Sequence, residues 1–235
     1  MDTSPASWRN TTHDWASVVD HDHLAGIRRY PAAFAPGGPG HLVLEVLAYA
    51  ADEAECTGGG RAVVTLHPDG SVSVADDGRG TDTRIDGRGR GVRKPVMATK
   101  DLRFFDSPRP ETEARTEAEP QAEPQVGTQP QTLPDGHPRR GMSVVAALSE
   151  WLVHTNRRRN GSWTQRYEHG IPVTGLEPVA DDGTTGTVVH FRPAEVLRAG
   201  AGPVAEDPAP WAASWPDLSV VVVVAAADGD DRRDG

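Results

Sequence analysis

The sequence predicts an α/β fold, and three stretches support that prediction. His41–Glu55 repeats Leu42, Val43, Val46, Leu47, Ala50 and Ala54 at three- and four-residue spacing, the apolar stripe of an amphipathic helix. Ala62–His67 and Ser71–Ala75 flank Pro68-Asp69-Gly70, which reads as a hairpin with strong turn chemistry. From Gly141 a helix to about Trp151 precedes strands at Trp151–Asn156, Ser162–Glu168 and Thr185–Phe191.

Taken in order, residues 1–20 are polar apart from Trp8, Trp15, Val18 and Val19 and are expected to form a loose arm. His13, His21 and His23 lie close together but lack a metal-ligand spacing, so solvated histidines are expected. His23–Tyr30 predicts a short helix stopped by Pro31, and Pro36–Gly40 cannot continue one. Gly58-Gly59-Gly60 ends the long helix. A Gly/Arg/Asp-rich loop follows Gly80. Residues 107–137 form a Pro/Glu/Gln-rich insertion with almost no aliphatic side chains, which cannot offset its ordering entropy by burial and is expected to be disordered. Arg157-Arg158-Arg159 reads as solvated charge in a turn in preference to a phosphate-binding patch, and Val220–Ala227 as a fully buried strand or an aggregation hazard that the fold must cover.

Composition narrows the function. The chain has 235 residues, 37 % of them hydrophobic, enough for one domain with a sizeable core. A formal charge of −10 argues against direct DNA binding through a basic patch. The single cysteine, Cys56, excludes an intrachain disulfide and a multi-cysteine metal site. The first ten residues contain no apolar signal segment, and Val220–Ala227 is too short to span a bilayer, so a cytoplasmic protein is expected.

Two polar constellations stand out. On the long helix, His41, Glu45, Tyr49 and Asp52 follow one another at four-, four- and three-residue steps and share a face. At the end of the second hairpin strand come Asp76-Asp77-Gly78-Arg79-Gly80. A carboxylate there can accept a hydrogen bond from an exocyclic amine, and glycines behind it let a flat ring approach the backbone.

These two stretches together resemble the N-terminal ATPase domain found in the B subunits of DNA gyrase and topoisomerase IV. That domain is a member of the GHKL superfamily, with histidine kinases, a heat-shock chaperone and a mismatch-repair protein. Met142–Ser149, Tyr167–Pro172, Thr185–Phe191 and Leu218–Ala227 resemble later segments of the same domain, in the same order. The resemblance implies a two-layer α/β sandwich, a mixed sheet with helices on one face. It implies ATP as ligand, with Asp77 accepting the adenine amine, Gly80 lining the base, Thr187 bonding it directly or through water, and Arg79 flanking it while pairing with Glu53. Glu45 would be the general base, oriented by His41, and Gly136 and Gly141 would bound the phosphate-cradling lid.

The chain also departs from that pattern. Tyr49 stands where the family has the asparagine that ligates Mg²⁺, and a protonated phenol is a poor partner for a hard cation, so no metal ligand is expected at this position. The lid reads Gly136-His-Pro-Arg-Arg-Gly141, and Pro138 has no N–H to give a phosphate. No transducer or DNA-cleavage region is expected within these residues. The expected function is an adenine-nucleotide binding module with impaired or absent hydrolysis. The alternatives are an ATPase completed by a partner chain, or an interaction scaffold that binds another protein and no nucleotide.

Overall fold

The protein is represented by a computed structural model that describes residues 12–13, 18–104, 131–159, 161–201, 211 and 214–226. Most of residues 1–20 and of the 107–137 insertion lie outside the described residues.

Three helices open the fold: α1 (His21–Arg29), α2 (Pro31–Phe34) and α3 (Gly38–Thr57). The hairpin follows as β1 (Gly60–Leu66) and β2 (Val72–Asp76). Then come β3 (Thr83–Ile85), β4 (Gly91–Arg93), α4 (Met142–Ala147), β5 (Ser149–Arg158) and β6 (Gly161–Glu168). The chain continues through β7 (Ile171–Pro172), β8 (Glu177–Pro178), β9 (Gly186–Pro193), α5 (Glu195–Ala201) and β10 (Leu218–Val224).

The main sheet runs β10-β1-β2-β9-β5-β6-β7, with β8 also paired to β6. It is mixed, since β1 pairs β10 in parallel and its other neighbours are antiparallel. α3 packs on β1, β2, β9 and β10 and also contacts α4 and α5, which gives one layer of helices on one layer of sheet.

α3 forms for local reasons and is held by burial. Its first turn contains Pro39, whose missing N–H costs nothing there. Gly58 ends it in the left-handed region, its N–H donating to the Ala54 carbonyl. The apolar stripe is buried as the periodicity predicts. So is part of the face expected to be polar: His41 is 1 % exposed and Glu45 0 %. Buried polar groups need partners: both Glu45 oxygens and His41 Nδ1 have them, while His41 Nε2, 3.6 Å from Glu45, has no hydrogen-bond partner among the described residues.

In the hairpin, Val64 faces Val74 and Leu66 faces Val72, all on the core side. Asp69 accepts from the N–H and hydroxyl of Ser71 to close the turn. The stretch after Gly80 is more ordered than a loop. β3 and β4 pair, and Asp86 holds their turn through the N–H groups of Arg88 and Arg90.

Several boundaries and environments differ from the expectations. The helix after Gly141 stops at Ala147, because Ser149 already pairs with Pro193 in the sheet. Among the described residues β10 is an edge strand rather than a fully buried one, with β1 as its one neighbour and Val224 57 % exposed. Arg157 and Arg158 belong to β5 and pair with Asp182 and Asp82. His13 and His23 are buried rather than solvated, and His23 shares a hydrogen bond with Ser143. Of the arm, Thr12 and Asp20 are tied to the body by backbone bonds to Leu102 and Ala98.

Residues 131–137, expected to be disordered, form a tight loop. Thr132 bridges Pro138, and Leu133 is buried in the core. Among the described residues, no helix is long and apolar enough to cross a membrane.

Candidate functional site

A cavity of about 290 Å³ lies between α3 and the sheet. That is near the small end of ligand pockets. Val46, Tyr49, Asp52 and Glu53 reach it from α3, Asp76 from the end of β2, and Thr187 and Val189 from β9.

Alternation along β2 decides which carboxylate faces this space. Val72 and Val74 are buried on the core side, so residue 76 shares their face and residue 77 does not. The Asp76 carboxylate lines the cavity, and its Oδ1 accepts from the N–H of Gly78 at 2.9 Å and of Thr187 at 3.3 Å. Burial pushes its pKa up to about 6, against those two hydrogen bonds, with the nearby charges of Asp77 and Glu53 adding to the rise.

Asp77, expected to take the adenine amine, lies elsewhere. It accepts from the Arg61 N–H at 2.7 Å and lines a neighbouring pocket at the hairpin's open end, which Glu53 and Asp76 also border. Of the two adjacent aspartates it is thus Asp76, and not the expected Asp77, that faces the cavity.

The glycines at this end have steric roles. Gly80 lines the cavity at φ +78°, and a Cβ there would come within 2.7 Å of the Asn156 Oδ1. Gly186, which sequence reasoning passed over, has φ +129°, and a Cβ on it would run into the Asp76 carbonyl oxygen. Arg79 pairs with Glu53 at the rim: its Nε and Nη2 donate to the carboxylate, and its backbone N–H also donates to Oε1.

Glu45 and His41 do not line the cavity. The Glu45 carboxylate accepts from the N–H of Arg140 at 2.5 Å and of Gly141 at 2.8 Å. His41 Nε2 stands 3.6 Å from Glu45, and Nδ1 lies 2.6 Å from Asp135. Burial disfavours charge on this imidazole, but Glu45 and Asp135 outweigh it and hold the pKa above the ordinary value. Glu45 thus does not share a cavity with Asp76 or Asp77. The loop at 135–141 has closed over Glu45.

A charged cluster fills the neighbouring ground. Tyr49 donates to Asp101 at 2.5 Å, and Arg103 donates to both Asp101 and Asp52. Arg139, only 4 % exposed, makes two 2.8 Å bonds to Asp52 and stacks between Tyr49 and Phe104. Burial, with the Asp101 charge, raises the Tyr49 pKa well above its usual value, so the phenol stays protonated. A neutral phenol beside carboxylates already committed to arginines does not fit a Mg²⁺ site. Among the described residues, no group of three or more His, Cys, Asp or Glu is placed to hold a metal.

Gly141 sits at φ +96° against the Tyr49 hydroxyl, with its N–H given to Glu45. Gly136 occupies a turn with open space around it. Neither lines the cavity. Asp101, Asp135 and the Arg139–Asp52 pair escape sequence reasoning because each depends on contacts far apart in the chain.

Comparison with known proteins gives a consistent assignment. No family model matches the chain. It is 32 % identical over 175 residues to the B subunit of DNA topoisomerase 4 from Bacillus subtilis (strain 168), covering 72 % of this chain and 24 % of that protein. It is 34 % identical over 154 residues to the B subunit of DNA gyrase from Thermotoga maritima, covering 65 % and 21 %. With the B subunit of the mitochondrial DNA gyrase of Arabidopsis thaliana it shares 32 % over 202 residues, covering 81 % and 25 %. The chain thus spans about a quarter of the length of these relatives. In fold it matches a topoisomerase IV ATP-binding domain of Francisella tularensis solved with a small-molecule inhibitor, at TM-score 0.58 and 20 % identity over 86 % of this chain and 50 % of that one. Over that shared quarter the chain is a gyrase-B-like domain of the GHKL type, similar to the B subunits of DNA gyrase and topoisomerase IV.

Proposed function

We propose that the chain binds an adenine nucleotide in the cavity at Asp76 and hydrolyses it slowly or not at all. The observation behind both halves is the separation of the two acids. Asp76 presents a half-buried carboxylate beside Thr187 and Gly80 on the cavity wall, while Glu45 is closed off by the N–H groups of Arg140 and Gly141. A half-buried acceptor on the wall of a cavity suits an exocyclic amine. A general base must reach the proton it takes, and Glu45 has both oxygens committed. The solved neighbour is an ATP-binding domain, which favours the same ligand class here.

A working ATPase is the second reading. The His41–Glu45 neighbour pair at 3.6 Å supports it, and it requires the loop at 135–141 to release Glu45, or a partner chain to rebuild the site.

Calorimetric titration with adenosine, ADP and ATP, with and without Mg²⁺, tests the proposal alongside a turnover assay. Binding of all three, little influence of Mg²⁺ and no turnover above background are expected. Lack of any binding removes the proposal, and steady turnover lost in Glu45→Ala replaces it with the second reading.

A further inference from the structure

Among the described residues, the cavity wall holds a cation with no counter-ion in contact. Among the described residues, Lys94 and Arg103 are the side chains of full positive charge that line the space. Arg103 is engaged by Asp101 and Asp52. The Lys94 ammonium has no carboxylate within ion-pair distance and no side-chain hydrogen bond among the described residues, whereas its backbone N–H is tied to the Asp82 carbonyl. The nearest carboxylates act on it only at longer range and have other partners. Asp101 binds Tyr49 and Arg103, and Asp82 faces Arg84 and Arg158. Burial holds the ammonium below its ordinary pKa, with Asp101 opposing.

A half-buried ammonium with no anion in contact has lost hydration and gained only longer-range attraction in exchange. An anionic ligand would supply the missing partner. The alternatives for receiving phosphate nearby are already used. Arg139 is bound to Asp52 and Gln131, and the N–H groups of Arg140 and Gly141 are bound to Glu45. The wall also carries Asp52, Glu53, Asp76 and Asp82, which would repel a chain of several phosphates.

We propose that Lys94 receives the phosphate of a purine nucleoside monophosphate whose base lies against Asp76, so that one phosphate strengthens binding and further phosphates do not. This rests on the nucleotide reading of the cavity and specifies its ligand class.

The test is titration of the purified chain at neutral pH with adenosine, AMP, ADP and ATP, with and without Mg²⁺, for wild type, Lys94→Gln and Lys94→Arg. In wild type, AMP is expected to bind about tenfold more tightly than adenosine, with that gain shrinking as salt rises. ATP is expected to stay within about threefold of AMP whether or not Mg²⁺ is present. Lys94→Gln should leave adenosine affinity within about twofold and erase the AMP gain, while Lys94→Arg keeps it. If adenosine does not bind wild type at all, the nucleotide reading itself falls. If adenosine binds but AMP gains nothing, if Lys94→Gln keeps the gain, or if ATP binds far more tightly than AMP, the Lys94 assignment alone is overturned. Should Lys94→Gln fail to fold, the salt dependence and phosphate series of wild type still decide the matter.

Discussion

Glu45 holds Gly141: the buried carboxylate on α3 accepts the N–H at the start of α4 at 2.8 Å, while its other oxygen accepts the Arg140 N–H at 2.5 Å. The residue expected to activate water ties the 135–141 loop to the helix in this structure.

Glu45→Gln should therefore behave as a structural change. An amide can accept one of the two N–H groups but turns its NH₂ toward the other, leaving two donors face to face. Hydrogen bonds to charged groups are worth roughly 1.5–3 kcal/mol, so a loss of about 2–3 kcal/mol of stability is expected. Chemical denaturation measures it. Adenosine affinity should hardly move, because Glu45 does not line the cavity.

Asp76 gives a pH signature. Its pKa rises from 3.8 to about 6 on folding, so folding favours the protonated acid. For a group shifted this way, its stabilising effect is complete below pH 3.8 and is lost as pH climbs through about 6. The size is on the order of 3 kcal/mol. His13 and His23, lowered by burial to about 4, titrate in the opposite sense and destabilise the fold as pH falls below 6.5. The Asp76 contribution is therefore read as the difference between wild type and Asp76→Asn. Ligand binding follows the ionised form, so adenosine affinity should rise through pH 6 and level off above it. In Asp76→Asn the amide oxygen stays on Gly78 and Thr187 and the NH₂ meets the ligand's amine, which should weaken adenosine by about tenfold or more. Asp77→Asn should leave it within about twofold.

The frame of the domain was legible because it is local. The stripe at Leu42, Val43, Val46 and Leu47, the Gly58 stop and the Pro68-Asp69-Gly70 turn are each decided by neighbours in the chain. The choice between the two aspartates was legible as well. Val72 and Val74 set a face that residue 76 shares by alternation, whereas the assignment by resemblance settles on Asp77. The closed loop was not legible. His41–Asp135 and Asp52–Arg139 join residues far apart in sequence, and no periodicity announces such pairs. The Pro/Glu/Gln composition hid the ordered residues 131–137, where Leu133 alone provides an apolar anchor.

Gly186→Ala should be among the most damaging small changes. The backbone there is at φ +129°, and the new methyl would collide with the Asp76 carbonyl across the β2–β9 junction. Strain of this kind costs on the order of 1–3 kcal/mol before the clash is counted. A fall in thermal midpoint together with loss of adenosine binding is expected, since relieving the clash moves Asp76 away from Thr187.

Tyr49 separates a closed site from a merely altered one. Tyr49→Asn places a carbonyl oxygen where a metal ligand could serve, yet Arg139 and Arg103 would remain on Asp52 and Asp101. The single variant removes the hydroxyl from Asp101 and the ring from beneath Arg139, so a loss of about 2–3 kcal/mol is expected, with no new Mg²⁺ dependence. Adding Arg139→Gly frees Asp52 of its bidentate partner and opens the space that the guanidinium occupies. In the double variant, Mg²⁺ should begin to tighten ATP while leaving adenosine unchanged, which titration of the two ligands with and without the metal will show. If the double variant binds ATP no better with Mg²⁺, then Arg139 and Tyr49 are not what closes this end of the site.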